Sequence, residues 1–302
     1  MEEVAQQLIN WLALGSIYAL LAVGFSLLFG VLNVIQFSHG DVALTAPFIA
    51  MAVMTALLGV TLPGAGLVLG VVVSIFAVGA LGVVLERMLI RRFRTAPAMM
   101  ALVATVALGI VLRELIRLIY PQGSNPHAFP PLFEGVAVTI AGATLPWLVV
   151  AMLATTVLLV AALTLFLSKT RTGVRIRAVS QDLEMARLLG INPNRIFQIT
   201  FFIASATGAV AGLFFAAYVG LIRFDFGIIA GLLGFSAAVI GGLGNMTGAI
   251  VGSLLLAALD TLVQAAVPDG ATYRLVVAFV LVILVLVFRP AGLFGRAATE
   301  KV

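Results

Sequence analysis

Long apolar stretches that contain no Asp, Glu, Lys or Arg dominate the chain. The five longest are residues 4–40, 42–85, 135–168, 196–222 and 226–259. An α-helix rises about 1.5 Å per residue, so about 20 residues cross a bilayer core that is about 30 Å thick. Because these stretches are longer than one crossing, we expect the chain to fold back within them, at its glycines and prolines.

Cutting the chain at these breakers predicts nine apolar segments. Their approximate bounds are residues 11–32, 42–60, 67–85, 99–119, 147–167, 197–219, 228–243, 249–267 and 273–288. The seventh segment is short and rich in glycine, which is typical of a broken or re-entrant helix as well as of a full span. We therefore predict an all-α, polytopic transmembrane helical bundle of about eight or nine spans, some of them broken at glycine, in a single domain over residues 1–302.

The composition excludes the common soluble classes. Hydrophobic residues make up 63% of the chain and charged residues 10%, whereas a soluble domain carries about 25% charged residues. Too little polar surface is left to cover a soluble enzyme, and the polarity of a disordered chain is missing. Cysteine is absent, which excludes disulfides and thiolate metal sites.

Positive charges are clustered, and the clusters predict the orientation. Thirteen of the 17 Lys and Arg residues fall within 86–94, 169–195 and 289–301, and such clusters favour the cytoplasmic side. Three predicted segments precede the first cluster, so we expect the N-terminus outside a bacterial inner membrane and the C-terminus in the cytoplasm. Residues 121–146 then form an external loop, in which the alternation over residues 136–140 predicts a small hairpin.

Two short elements resemble each other within the chain. At an offset of 187, residues 35–43 align with residues 222–230, with identical Ile, Phe, Gly and Ala at four positions. The segments before them run in opposite directions in the predicted topology, so the internal repeat would be inverted. Inverted repeats are a recurring transporter design, with the substrate path at the interface of the repeats. A chance Phe-x-x-Gly turn at two helix entries is the alternative.

Polar side chains at these breaks are candidates for the substrate path. Gln36, Ser38 and His39 lie at the first break, and Asn245 and Thr247 lie at the break after the seventh segment. Within a membrane, unwound backbone is tolerated where it lines a cavity. The alternative is that these residues only cap helix ends.

No pattern for catalysis or for cofactor binding stands out. A P-loop needs a Gly-Lys pair, and glycine precedes neither of the two Lys residues. The two histidines, His39 and His127, lack the spacing of metal ligands. We therefore expect the chain to be no enzyme and to bind no cofactor itself.

Charges within the predicted spans are few. Arg113, Glu114 and Arg117 lie late in the fourth segment, where we expect them to pair and to extend toward the outer interface. Asp260 lies inside the eighth segment, and Thr261 and Gln264 are close enough in sequence to hydrogen-bond it.

The cytoplasmic loop over residues 169–195 contains helix signals. Ser180 is a favourable N-cap and Gly190 suits a left-handed C-terminal cap, so we predict a short helix of about nine residues. Asn192 followed by Pro193 predicts the start of the next span. The short helix has an apolar face, which either rests on lipid headgroups or docks in a groove of another protein.

Several motifs resemble those of a known family. Glu184-Met185-Ala186 followed by Gly190 resembles the Glu-Ala-Ala-x-x-x-Gly signature of ABC-importer permeases, with Met185 where the signature has Ala. More specifically, four stretches resemble the branched-chain amino acid permease family of ABC importers, in particular the first of its two paired chains. They are LGSIYAL at residues 14–20, NVIQFSHG at 33–40, AAVIGGLGN at 237–245 and FRPAGLFG at 288–295.

This resemblance implies a subunit of an ATP-driven importer for branched-chain or other neutral amino acids. The residues that it assigns to ATPase coupling are Asp182, Glu184, Met185, Ala186, Leu189 and Gly190. It implies two cytoplasmic ATPase subunits that bind ATP, a second related permease chain or a second copy of this one, an external substrate-binding protein, a lipid membrane, and no nucleic acid. The alternatives are a permease for urea or short amides, an ion-coupled secondary carrier for small polar solutes, and a channel or structural membrane subunit.

Overall fold

The structure is a computed structural model that describes residues 2–57, 63–93, 96–140 and 142–295. The α-helices in these ranges are α1 (Glu2–Leu32), α2 (His39–Leu57), α3 (Pro63–Leu85), α4 (Arg91–Phe93), α5 (Ala98–Ile119), α6 (Trp147–Lys169), α7 (Arg171–Gln181), α8 (Leu183–Leu188), α9 (Pro193–Val219), α10 (Phe226–Gly241), α11 (Met246–Ala266) and α12 (Arg274–Phe288). A π-helical turn, Glu86–Ile90, joins α3 to α4, and a 3-10 turn, Gly270–Tyr273, precedes α12. The strands are β1 (His127–Ala128), β2 (Val136–Ile140), β3 (Ala143–Pro146) and β4 (Leu221–Ile222).

The all-α transmembrane bundle is confirmed. Within the described ranges, seven helices are long and apolar enough to cross a membrane, and they are α1, α2, α3 with its continuation, α5, α6, α9 and α11. α10 and α12 are also apolar but shorter, with 16 and 15 residues. The seventh predicted segment forms α10, which is one continuous helix, so the glycine-rich breaks lie between helices and not inside it. Residues 58–60 of the second predicted segment and residues 296–301 of the last cation cluster lie outside the described residues.

The first helix begins earlier than the sequence pattern predicts. α1 starts at Glu2 and not near residue 11, because polar side chains in its first turns find partners. Gln6 accepts a hydrogen bond from the backbone N–H of Thr144 at 3.1 Å, and Trp11 donates its indole N–H to the carbonyl of Leu254 at 2.8 Å. Because these contacts satisfy the polar side chains, the helix can extend through the polar residues before residue 11.

The packing of the helices repeats within the chain. The central helix of each half packs on helices of the other half. α1 packs on α10 and α11, and α9 packs in the same way on α2 and α3. α2 contacts α3 as α10 contacts α11, and the peripheral α5 contacts α2 as α12 contacts α10. The internal repeat that two nine-residue elements predict thus extends to four helices in each half, with α1 and α9 at the centre.

A break in the helical structure precedes the second helix of each half. Asn33 ends α1 in a left-handed conformation with φ of 52°, and α2 begins after it at His39. In the other half Gly220 has φ of 77° and is followed by β4. The short strand β1 pairs with β4, with His127 opposite Ile222, so the loop between α5 and α6 reaches the second break.

The predicted hairpin is confirmed. β2 and β3 pair antiparallel, with Val138 opposite Leu145 and an irregular register between Val136 and Val138. Gly142 has φ of 90°, which is the conformation that glycine supplies at a tight turn. Ala141 lies outside the described residues.

The prediction of a single short helix capped by Ser180 is wrong. The loop contains two helices, α7 and α8, and Ser180 lies in the last turn of α7, where it donates to the carbonyl of Arg177. Asp182 is the N-cap of α8, since its carboxylate accepts hydrogen bonds from the N–H groups of Glu184 and Met185, both at 2.9 Å. A helix starts earlier because Thr170 caps α7 through the N–H of Gly173, and a carboxylate suits the positive end of the next helix well.

Two local predictions at the end of this loop hold. Gly190 has φ of 76°, the left-handed conformation that glycine adopts without strain. Asn192 caps α9 by accepting from the N–H groups of Asn194 and Arg195, and Pro193 occupies the first helical position.

Candidate functional site

The starts of α2 and α10 cross at the centre of the bundle. A side-chain carbon on Gly40 would overlap Cα of Gly231 and the carbonyl of Gly227, so only glycine permits this approach. Gly40 and Gly227 are the two glycines that the internal alignment matches with each other. The two related elements therefore meet, as an interface between repeats requires.

Three of the candidate path residues lie together at this crossing. Gln36 donates its amide N–H to Oγ of Ser38 at 2.7 Å, and both side chains are buried. His39 is also buried, with its ring edge-on to Phe25 at a centroid distance of 4.8 Å. Within the part of the chain that the structure describes, Nε2 of His39 has no hydrogen-bond partner.

Asp41 is a site residue that sequence reasoning missed. It lies in the first turn of α2, and its carboxylate packs against Gly109 of α5 and Gly227 of α10. Nε of Arg113 lies 3.5 Å from Oδ1 of Asp41 and also donates to the carbonyl of Gly109 at 3.3 Å. The signal that could have revealed the pair is Gly109 one turn before Arg113, since a small residue leaves room for a second helix.

The expectation that Arg113, Glu114 and Arg117 all extend toward the outer interface is therefore wrong for Arg113. Arg117 and Glu114 do pair on the exposed surface, at 2.7 Å. Arg113 instead turns inward, because Asp41 supplies a buried opposite charge. Closer to the start of α5, the backbone N–H of Phe37 donates to Oγ1 of Thr105 at 3.3 Å, so α5 is tied to the break at a second point.

Cavities lie between the helices of the bundle, and one of them reaches the break before α2. One of about 240 Å³ is bounded by Gln36, by Ala101 and Thr105 of α5, and by the junction of α7 and α8 near Gln181. A second, wider groove of about 960 Å³ lies between α2, α3 and α5 and is largely apolar. A third, of about 670 Å³, lies beside Asn245.

The remaining two path candidates lie apart from the first three. Asn245 caps α11 by accepting from the N–H of Gly248 at 3.1 Å, and it donates to the carbonyl of Phe294 at 2.9 Å. Thr247 is exposed in the first turn of α11. The structure does not bring these residues together with Gln36, and the capping interpretation explains the contacts of Asn245.

The segment that resembles a coupling signature forms an apolar knob on a buried base. The side chains of Met185, Leu188 and Leu189 are 54%, 81% and 71% exposed. Ala186 faces inward and packs in a cluster with Val31 of α1. The cluster also includes Ile176, Val179, Ile196 and Phe197. Movement of α8 would therefore be transmitted to α7 and to the end of α1.

A polar network lies at the other end of the bundle. Asp260 accepts hydrogen bonds from the hydroxyl of Tyr18 at 2.6 Å and from Gln264 at 2.7 Å. Arg274 at the start of α12 forms an ion pair with it at 3.0 Å. The expected bond from Thr261 is absent among the described contacts, because its hydroxyl donates to the carbonyl of Ala257 in its own helix.

The family of the chain follows from its sequence as a whole. A sequence model of the family described as "Branched-chain amino acid transport system / permease component" matches residues 7–286, which is nearly the whole chain and both halves of the repeat. The chain belongs to this permease family.

Named relatives of this permease match it over almost their full length. The high-affinity branched-chain amino acid transport system permease protein BraD of Pseudomonas aeruginosa is 37% identical over 303 residues, covering 98% of this chain and 97% of that protein. The corresponding LivH proteins of Salmonella typhimurium and Escherichia coli are each 35% identical with the same coverage. Among solved structures, PsaBC from Streptococcus pneumoniae in complex with Fab aligns over 95% of this chain and 94% of that chain, with a TM-score of 0.48 and 11% identity. A structural likeness of that strength supports no functional conclusion.

The family tells in which kind of assembly the site operates. This permease is a multi-span membrane protein and one component of a transport system, so it acts together with other subunits. In the described ranges, no three His, Asp or Glu side chains converge on a position that would hold a metal ion.

Proposed function

We propose that this permease is the membrane-spanning subunit of an ATP-driven importer for branched-chain or other neutral amino acids. The near full-length match to permeases named for branched-chain amino acid transport supports the substrate class. The single structural observation that carries the ATP-driven mechanism is the exposed apolar knob on α8, at the position of the coupling signature.

The knob has the properties of a docking element. Leu188 and Leu189 are exposed at the end of a capped helix, and an apolar helix end of this kind fits a groove in a partner protein. Ala186 holds the same helix on the cluster that includes α7, α9 and the end of α1. ATP binding and hydrolysis in the partner would thereby bias the bundle between inward-open and outward-open states.

The assembly that we propose has several further parts. Two cytoplasmic ATPase subunits bind ATP, and a second related permease chain, or a second copy of this one, completes the membrane domain. A substrate-binding protein delivers the amino acid to the external side. The N-terminus lies outside the bacterial inner membrane, and the C-terminus and α8 lie in the cytoplasm, as the positive clusters favour.

An ion-coupled carrier is a weaker candidate. Such a carrier needs a carboxylate that gains and loses a proton or a sodium ion. The carboxylates buried in the described spans are Asp41, Glu86 and Asp260, and both aspartates are matched by an arginine. An arginine beside a carboxylate already occupies a position that a bound cation would take.

Replacing one exposed apolar residue of the knob tests the proposed coupling. Leu188→Asp should abolish co-purification of the ATPase from native membranes and ATP-dependent uptake of leucine in proteoliposomes, because a charge would enter an apolar groove. Val174→Asp is the matched control, since Val174 is a similarly apolar, 52% exposed residue on the adjacent α7. Normal uptake by a well-expressed Leu188→Asp variant would contradict the assignment.

A further inference from the structure

A seam between α2 and α5 connects two of the cavities. At one end, Gln36 and Thr105 line the cavity of about 240 Å³. At the other end, Thr45 and Ile116 line the groove of about 960 Å³. Asp41 lies between residues 36 and 45 on one side of the seam, and Arg113 lies between residues 105 and 116 on the other. Their ion pair therefore lies on the seam between the residues that line the two cavities.

The seam is closed at this point by close packing and by a weak pair. Gly109 packs against both the carboxylate of Asp41 and Cα of Ser38, so α5 and α2 are in close contact beside the charges. The side chains of Asp41 and Arg113 are 8% and 16% exposed, and the nearest atoms are 3.5 Å apart. Oδ1 of Asp41 accepts no hydrogen bond from any described residue.

Separating Asp41 from Arg113 requires that each charge receive a new partner. A long ion pair with an unfilled acceptor has little hydrogen-bond energy to lose. The two separated charges, however, would each be left in an apolar surrounding at a large desolvation cost. A ligand that opens the pair must therefore offer a positive group to Asp41 and a negative group to Arg113 at the same time.

We propose that the Asp41–Arg113 pair is the recognition point for an α-amino acid zwitterion. The ammonium group binds Asp41 and the carboxylate binds Arg113, so that one internal ion pair is exchanged for two with the substrate. The net charge of the seam does not change, and the aliphatic side chain lies in the apolar groove lined by Phe48 and Ile116. This inference rests on the proposed function and narrows it, because urea and short amides carry neither charge and would not part the pair.

A structural role makes a different prediction from a recognition role. Replacing both members of a buried ion pair with apolar residues of similar size is often neutral or stabilising for the fold. If the pair only holds α5 in place, a double apolar variant should transport normally. If the pair recognises the zwitterion, the same variant should assemble and fail to transport.

The test compares two double variants in proteoliposomes that contain the ATPase and the binding protein. Asp41→Leu with Arg113→Met should reduce leucine uptake at least about tenfold while ATP hydrolysis is retained. Glu114→Gln with Arg117→Gln removes the exposed pair on the same helix and should leave uptake unchanged. Leucine uptake at the wild-type rate in the first double variant overturns the inference.

A second comparison decides the matter if the double variant does not assemble. Asp41→Glu keeps the negative charge, and Asp41→Asn keeps the shape, so uptake should be clearly higher in the Glu variant. Equal uptake in the two overturns the inference. The proposed function fails in a distinguishable way, which is uptake of urea and not of leucine by the unaltered complex.

Discussion

Two buried aspartates each join a peripheral helix to the bundle through one arginine, and their surroundings differ. Asp260 of α11 is surrounded by donors from three helices, with Tyr18 at 2.6 Å, Gln264 at 2.7 Å and Arg274 at 3.0 Å. Asp41 of α2 has Arg113 at 3.5 Å and packs mainly against glycine backbone. A carboxylate whose oxygens all accept hydrogen bonds holds its neighbouring helices rigidly together, whereas a carboxylate with an unfilled oxygen is available to a ligand.

Two buried Asp–Arg ion pairs in one membrane protein can therefore have different roles. The Asp260 network ties α12 to α1 and α11 through groups that all depend on the same carboxylate. The Asp41 pair lies between two cavities, where α5 is also held by Thr105. We therefore expect the first pair to contribute mainly to stability and the second mainly to transport.

The largest expected effect on stability comes from Asp260→Asn. Removing one member of a buried pair leaves the other charge uncompensated, which costs about 3–5 kcal/mol. Asp41→Asn should cost less, because Asp41 makes a longer ion pair, at 3.5 Å, and its Oδ1 accepts no hydrogen bond from a described residue that could be lost. Fluorescence-detected size-exclusion chromatography after a heating series measures both in detergent. Equal losses for the two variants would break the comparison.

A smaller effect is expected for Tyr18→Phe. The change removes one of the three donors to Asp260 and leaves the pair with Arg274 in place, which costs about 1–3 kcal/mol. Tyr218→Phe is the control, because Tyr218 is close enough to interact with the charge of Arg274 but makes none of the hydrogen bonds to Asp260. The same heating series applies. A loss for Tyr18→Phe no larger than that for Tyr218→Phe would remove Tyr18 from the network.

Surface cysteines near the two ion pairs report on which side of the membrane each pair lies. Such substitutions should change stability least, within about 0.5 kcal/mol. Ile119 follows Arg113 along α5, and Tyr273 directly precedes Arg274; they are 76% and 50% exposed. In the predicted orientation Ile119→Cys and Tyr273→Cys both react with an impermeant thiol reagent in intact cells. Val174→Cys on α7, a 52% exposed position outside the knob, should react only after permeabilisation. Labelling of Ile119→Cys and Tyr273→Cys from opposite sides would show that the two pairs do not lie in the same half of the bilayer.

Local sequence signals predict much of this fold. Apolar length predicts the helices, and alternation over residues 136–140 predicts the hairpin, because both depend on neighbours within one element. The caps at Gly190 and Asn192 are predictable for the same reason. The helix start at Ser180 is wrong because Asp182, two residues later, is the stronger competitor for the N-cap, and Thr170 had already started a helix.

Long-range contacts explain most of what the sequence does not predict. Asp41 and Arg113 are brought together only when α5 packs on α2, and their spacing in sequence contains no sign of this. Gln36 and Asn245 both occupy breaks, yet they line different cavities beside the end of α1. The repeat predicts that its two elements meet, but the identity of the side chains between helices depends on the packing of the whole bundle.

The pairing of β1 with β4 has a consequence for the biosynthesis of the protein. His127 lies opposite Ile222, and the N–H of Phe129 donates to the carbonyl of Gly220 at 3.0 Å. During translation the first half of the chain leaves the ribosome well before residue 222, so this loop must wait, unpaired, until α9 has been inserted. Such late closure of a distant contact slows folding, and it means that the two halves of the repeat, although each resembles the other, are completed as one unit.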